Sequence, residues 1–224
     1  MRGLRASVLL LPIWVIGCEE PSLPTRTYVP AEVLPGTVAS AQLSPDQTSV
    51  VLDPAGDATF SAPAFQDIVR GEISKQGGSF ALLLEMAGSV PENPPLPPPA
   101  TSEIWWAWAF NLDPAASPQG YPFAPGVALP ADFVVYVSWD GTEFKARAID
   151  RRPLLTGEEA IITPVPFSID GAVLEAVLPS AMIGDPLRFG WGTRTFDWSG
   201  PLGTEGAHVV DFGGPPFNPW PPPQ

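Results

Sequence analysis

The segment Ile104-Trp105-Trp106-Ala107-Trp108-Ala109-Phe110-Asn111-Leu112-Asp113 decides the fold. With a period of two, Ile104, Trp106, Trp108, Phe110 and Leu112 share one face, and Trp105, Ala107, Ala109, Asn111 and Asp113 share the other. One face is large and apolar and the other small or mixed, which fits a strand with one side in a core. A helix would carry apolar and aromatic groups all the way round. Pro91–Ala100, with six prolines, precedes the segment as a stiff loop unable to join a sheet interior, and Asp113-Pro114 closes it.

Working outward, the same period recurs in short runs separated by turn residues. Ser49–Leu52 opens the domain and leads into Asp53-Pro54-Ala55-Gly56-Asp57. Gln66–Lys75 and Ser79–Ala87 flank Gln76-Gly77-Gly78 and read as a hairpin. After a long loop holding Tyr121 and Phe123, Asp132–Asp150 reads as a hairpin with a two-residue turn at Asp140-Gly141. That turn pairs Val137 with Phe144, Val135 with Ala146, Tyr136 with Lys145 and Val134 with Arg147. Asp170-Gly171 repeats the device, pairing Phe167 with Leu174 and Ile169 with Ala172. Ser180–Gly184 suits one helical turn, Leu187–Thr195 a further strand and His208–Phe212 a last one. The reading is all-β: eight to ten strands, an antiparallel β-sandwich of jelly-roll type in a single domain over 48–213. The Pro-rich tail 214–224 reads as unstructured.

The chain begins Met1-Arg2-Gly3-Leu4-Arg5, runs apolar from Val8 to Ile16, and reaches Val15-Ile16-Gly17-Cys18. A basic start, a short apolar stretch and a small-residue exit make 1–17 a secretory signal, too short to span as a mature helix. With the cysteine in that place, the segment resembles the lipobox of bacterial lipoproteins. The resemblance implies that Cys18 becomes the lipidated first residue, and that Glu19, not being aspartate, favours the outer membrane or cell surface. Lipid chains then anchor the domain without spanning the bilayer. Residues 18–47, rich in Pro, Ser and Thr, read as a spacer or in part as an edge strand.

With Cys18 used as anchor, no cysteine remains, so disulfides play no part in the fold. Net charge is −13, and loss of Arg2 and Arg5 leaves 9 cationic residues against 24 acidic ones, or −15. Such acidity argues against nucleic acid and against electrostatic adhesion to anionic lipid, and is compatible with cations or neutral ligands. Asp53, Asp57, Asp67 and Asp211 are candidate hard oxygen ligands for calcium if the first and last strands neighbour each other; otherwise they are solvated turn residues. Trp105, on the face opposite the core, is a candidate platform for a sugar ring, or packs under the 91–100 loop or the second sheet's rim. Tyr121 and Trp198 are loop-borne candidates of the same kind. One His, no free Cys and no nucleophile elbow speak against an enzyme.

Asp53-x-x-Gly56-Asp57, Asp67-Ile68 entering a strand, the aromatic strand ending Leu112-Asp113, Val177-Leu178-Pro179 before Met182-Ile183-Gly184, and Val210-Asp211 follow one another in order. That order resembles the family 9 carbohydrate-binding-module-like and DOMON-like β-sandwiches of secreted and surface proteins. The resemblance implies a non-catalytic binding module in which paired aromatics hold carbohydrate and calcium stabilises loops. No tryptophan here, whether Trp105, Trp139, Trp191 or Trp198, matches a family clamp position. The alternatives are a calcium-stabilised structural or protein-interaction module of an envelope complex, and a haem-binding domain drawing Met and His ligands from Met86, Met182 and His208. The partners expected are polysaccharide or an envelope protein.

Overall fold

The computed structural model describes residues 47–59, 62–96, 101–113, 121–124, 127–129, 131–199 and 207–221, with 121–124, 127–129, 207 and 214–216 as backbone only. The signal segment, Cys18 and the spacer up to residue 46 lie outside the described residues. In chain order the strands are β1 (Thr48–Leu52), β2 (Ile68–Gln76), β3 (Ser79–Met86), β4 (Glu103–Asn111), β5 (Tyr121–Ala124), β6 (Val127–Leu129) and β7 (Phe133–Trp139). They continue with β8 (Phe144–Asp150), β9 (Ile161–Pro164), β10 (Phe167–Asp170), β11 (Val173–Pro179), β12 (Phe189–Trp198) and β13 (Ala207–Trp220). Two 3-10 turns, Arg152–Thr156 and Ser180–Ile183, are the helical elements among the described residues.

The strands form two antiparallel sheets packed together, ordered β1-β2-β3-β11-β10 and β13-β12-β4-β7-β8-β9, with β5-β6 as a separate ribbon. The fold is therefore a β-sandwich, as the alternation predicts. β4 sits inside the larger sheet between β12 and β7, which explains its hydrophobicity. Its even face (Ile104, Trp106, Trp108, Phe110) meets Ile73, Leu82, Leu84, Leu174 and Leu178 of the other sheet in the main core. Buried indoles need an acceptor: Trp106 Nε1 donates to Phe65 O at 2.7 Å, and Trp108 Nε1 to Leu83 O at 3.2 Å across the sheets.

All three predicted hairpins exist, but the registers expected at Asp140-Gly141 and Asp170-Gly171 are each moved by two residues. Val137 faces Ala146 and Val135 faces Ala148, while Tyr136 faces Arg147 and Ser138 faces Lys145. The cause is Asp140, whose Oδ1 accepts from the backbone N–H of Thr142 (2.9 Å) and Glu143 (3.0 Å) and stretches the turn to Asp140–Glu143. In the β10–β11 hairpin Phe167 faces Ala176 and Ile169 faces Leu174, because the turn residues are Gly171-Ala172, with Gly171 at φ +58°. A shift of two preserves the faces, so the core assignment survives the error.

The tail is the larger correction. β13 does not stop near Phe212; it runs to Trp220, paired with Phe189. Trp220 is buried and packs on Phe80 (5.4 Å, edge-on) and Phe189 (5.8 Å, stacked). Proline disfavours a sheet interior but is tolerated at a sheet's edge, and β13 is an edge strand. Burying the Trp220 ring stabilises a pairing that Pro-rich composition alone argues against.

Candidate metal centre

β1 and β13 are the edge strands of different sheets and lie side by side. Ser49 Oγ links them by donating to Pro219 O at 3.4 Å while accepting from Trp191 Nε1 at 3.0 Å. The chain leaving β1 crosses the same seam, where Thr59 N donates to Val210 O at 2.9 Å. Thr193 of β12 is pressed from both sides: a Cβ added at Gly71 would meet its Cγ2 at 2.8 Å, and one added at Gly213 would meet its Oγ1 at 2.1 Å. The close approach requires glycine at both positions.

This seam gathers Asp53, Asp57 and Asp211, which offer carboxylate oxygens all within 4.8 Å of one another. Asp53 continues the β1–β2 ladder, its N–H donating to Val69 O at 3.1 Å, and Asp57 follows the Gly56 turn. Asp211 is buried on β13, where Oδ2 accepts from Ile68 N (2.7 Å) and Oδ1 from Phe212 N (2.8 Å). Each of its oxygens retains a lone pair. Burial, with the nearby Asp53 and Asp57 charges, raises the Asp211 carboxyl to about 6 despite those two hydrogen bonds.

Asp67 stands beside the trio without closing into it. Its Oδ2 accepts from Gly56 N at 2.7 Å and so faces the Asp53–Asp57 loop, but Oδ1, on a residue 6% exposed, has no hydrogen-bond partner among the described residues. Gln66, fully buried, donates from Nε2 to Asp197 Oδ1 (2.6 Å), leaving Oε1 as a second acceptor without a donor. Thr195 Oγ1 fixes the Gln66 carbonyl at 2.7 Å, and burial raises the Asp197 carboxyl. Sequence reading missed Gln66 and Asp197; a polar pair, Gln66-Asp67, directly before an apolar strand was the available signal. The trio of carboxylates, with Asp67 bracing the loop that bears two of them, forms a donor set of hard oxygens with excess negative charge, which fits calcium.

The aromatic candidates fare differently. Trp105 and Trp198 do come together, stacked at 5.0 Å and 6°, and Tyr136 stacks on Trp105 at 3.9 Å and 12°. Both tryptophans are nonetheless buried (0% and 1% exposed), so neither presents a ring to solvent. They belong to packing on the outer face of the larger sheet, with Ala107, Val134, Ile149 and Phe196 around Trp105 and Tyr136. Trp105 Nε1 donates to Glu103 Oε2 at 2.6 Å. Trp139 and Trp191 are core residues. Tyr121 lies on β5, with its side chain outside the described residues. Met86 is sealed in the core and Met182 packs against it, whereas His208 is exposed opposite Asp197. The haem reading gains no support from that placement.

No protein-family model matches the chain, and comparison with curated proteins gives no significant match.

Proposed function

We propose that the chain is a lipid-anchored, non-catalytic β-sandwich module of the cell envelope whose β1–β13 seam holds a divalent cation of calcium type. The observation that carries the reading is the meeting of Asp53, Asp57 and Asp211 within 4.8 Å, faced by the Asp67 carboxylate. Asp53, Asp57 and Asp211 would hold the ion, and Asp67 would orient the loop that bears the first two. A bound cation supplies the positive charge that these groups lack. The lipobox-like Val15-Ile16-Gly17-Cys18 supports the address. Of the two partner classes, an envelope protein is favoured over a polysaccharide, because Trp105 and Trp198 are buried and so offer no stacking platform.

The test is thermal unfolding of the protein in calcium and in EDTA. A ligand held only by the folded state at a hundredfold its Kd adds about 2.7 kcal/mol. For a domain of this size that raises Tm by roughly 5–10 °C. Asp57→Asn is expected to remove most of that difference while leaving the EDTA melt intact. An identical Tm in both buffers would remove the cation from the account.

A further inference from the structure

We propose that the free edge of β10 is a strand-addition site for an extended segment of another protein, apolar at alternate positions and basic at its flanks. It gives the protein partner of the preceding reading a surface, and it does not depend on the cation.

β10 ends the smaller sheet, with β11 on one side and no strand on the other among the described residues. The phase of its hydrogen bonding follows from Val177 N donating to Pro166 O at 3.0 Å. Antiparallel neighbours alternate between pairs that exchange backbone hydrogen bonds and pairs that do not. With Pro166 and Val177 bonded, Ser168–Glu175 and Asp170–Val173 are bonded as well, and Phe167–Ala176 and Ile169–Leu174 are not. The N–H and C=O of Phe167 and Ile169 therefore point away from β11, a row of two donors and two acceptors at the spacing an added strand requires.

β10 is short, four residues ending in Asp170, but it lacks the devices that bar an added strand outright. β10 carries no proline, no lysine and no bulge. The neighbouring edge strand β9 does carry one, since Pro164 lacks the N–H that its outward position would offer. Phe167 lies on the core-facing side of β10, opposite buried Ala176, yet is 38% exposed. An added strand would cover apolar surface that the present fold leaves in water.

Charge selects the occupant. β10, β11 and β3 carry Asp170, Glu175 and Glu85, and no Lys, Arg or His. A second copy would bring the same acidic strands together on chains of net charge −13, so the edge disfavours self-pairing. A segment with lysine or arginine at its flanks meets complementary charge.

The experiment uses the full chain in detergent, with and without calcium, and two synthetic peptides with the same alternating Val-Thr centre, one flanked by lysines and one by glutamates. Amide exchange at Phe167 and Ile169 is followed by NMR. The lysine peptide is expected to slow exchange at both amides by about tenfold or more, and the glutamate peptide to leave them unchanged. Phe167→Pro removes an outward donor without touching the ladder to β11 and is expected to abolish the protection, whereas Phe167→Ala keeps the donor and weakens it. Unchanged exchange at both amides in millimolar lysine peptide would overturn the proposal. Equal protection by the two peptides would do the same. Protection that appears on raising protein concentration alone would assign the edge to a second copy. Because Phe167 is remote from the carboxylates in the chain and in the sheet order, a calcium-independent result here leaves the cation to stand or fall on its own test.

Discussion

Along one edge of the sandwich β1 and β13 are tied together by Ser49, by the Thr59–Val210 hydrogen bond and by a glycine-walled contact on Thr193, whereas along the other β10 closes the smaller sheet with half its backbone polar groups turned outward. The first edge concentrates buried aromatic area and buried carboxylates. The second has exposed side chains and a short strand. A sheet edge needs a partner of some kind, and the comparison shows two solutions in one molecule: cover by the chain's own terminus, and an edge left available. Covering an edge with buried acids creates an electrostatic cost, which is the physical argument for a cation at the seam and none at β10.

The contrast is sharpest in side-chain truncation. Trp220→Ala should cost about 3–5 kcal/mol, since it empties a site packed by Phe80 and Phe189. Phe167→Ala, at the open edge, should cost less than about 1 kcal/mol. Denaturant unfolding of the two variants checks the difference, and equal losses would erase the distinction between the edges. Next comes pH. In metal-free protein burial and the neighbouring Asp53 and Asp57 push the Asp211 carboxyl up to about 6 when folded, from an ordinary 3.8. The folded state therefore holds that proton more tightly, and stability falls as pH rises through the window from about 4 to about 6. Above that window the loss is complete, at most ~3 kcal/mol. Asp211→Asn in EDTA should flatten that part of the pH profile; an unchanged slope would assign it to other groups. Gly213→Ala follows, at about 1–3 kcal/mol, because its Cβ has no room against Thr193. A neutral result in the melt would mean that β13 moves off easily.

Much of this was legible in the sequence because period-two alternation depends only on which face is buried. β4 and the hairpins were placed, and a register error of two residues left every face correct. The meeting of Asp53, Asp57 and Asp211 was legible only through the expectation that first and last strands neighbour each other; nothing in the spacing encodes it. Asp67 was grouped with them and instead faces their loop. For Trp105 and Trp198 the sequence leaves platform and packing both open, because alternation assigns one face to a core and gives no sign whether the opposite face is also covered; both are buried. Composition misled at the C-terminus: a Pro-rich tail reads as unstructured, but Trp220 supplies enough apolar area to hold it as a strand.

The most direct measurement is equilibrium dialysis of the full chain against labelled calcium, with Asp57→Asn and Phe167→Ala run beside it. The account predicts one calcium per chain for the wild type and for Phe167→Ala, and loss of that ion in Asp57→Asn. Absence of bound calcium in folded wild type, or equal binding by Asp57→Asn, would contradict a cation at the β1–β13 seam.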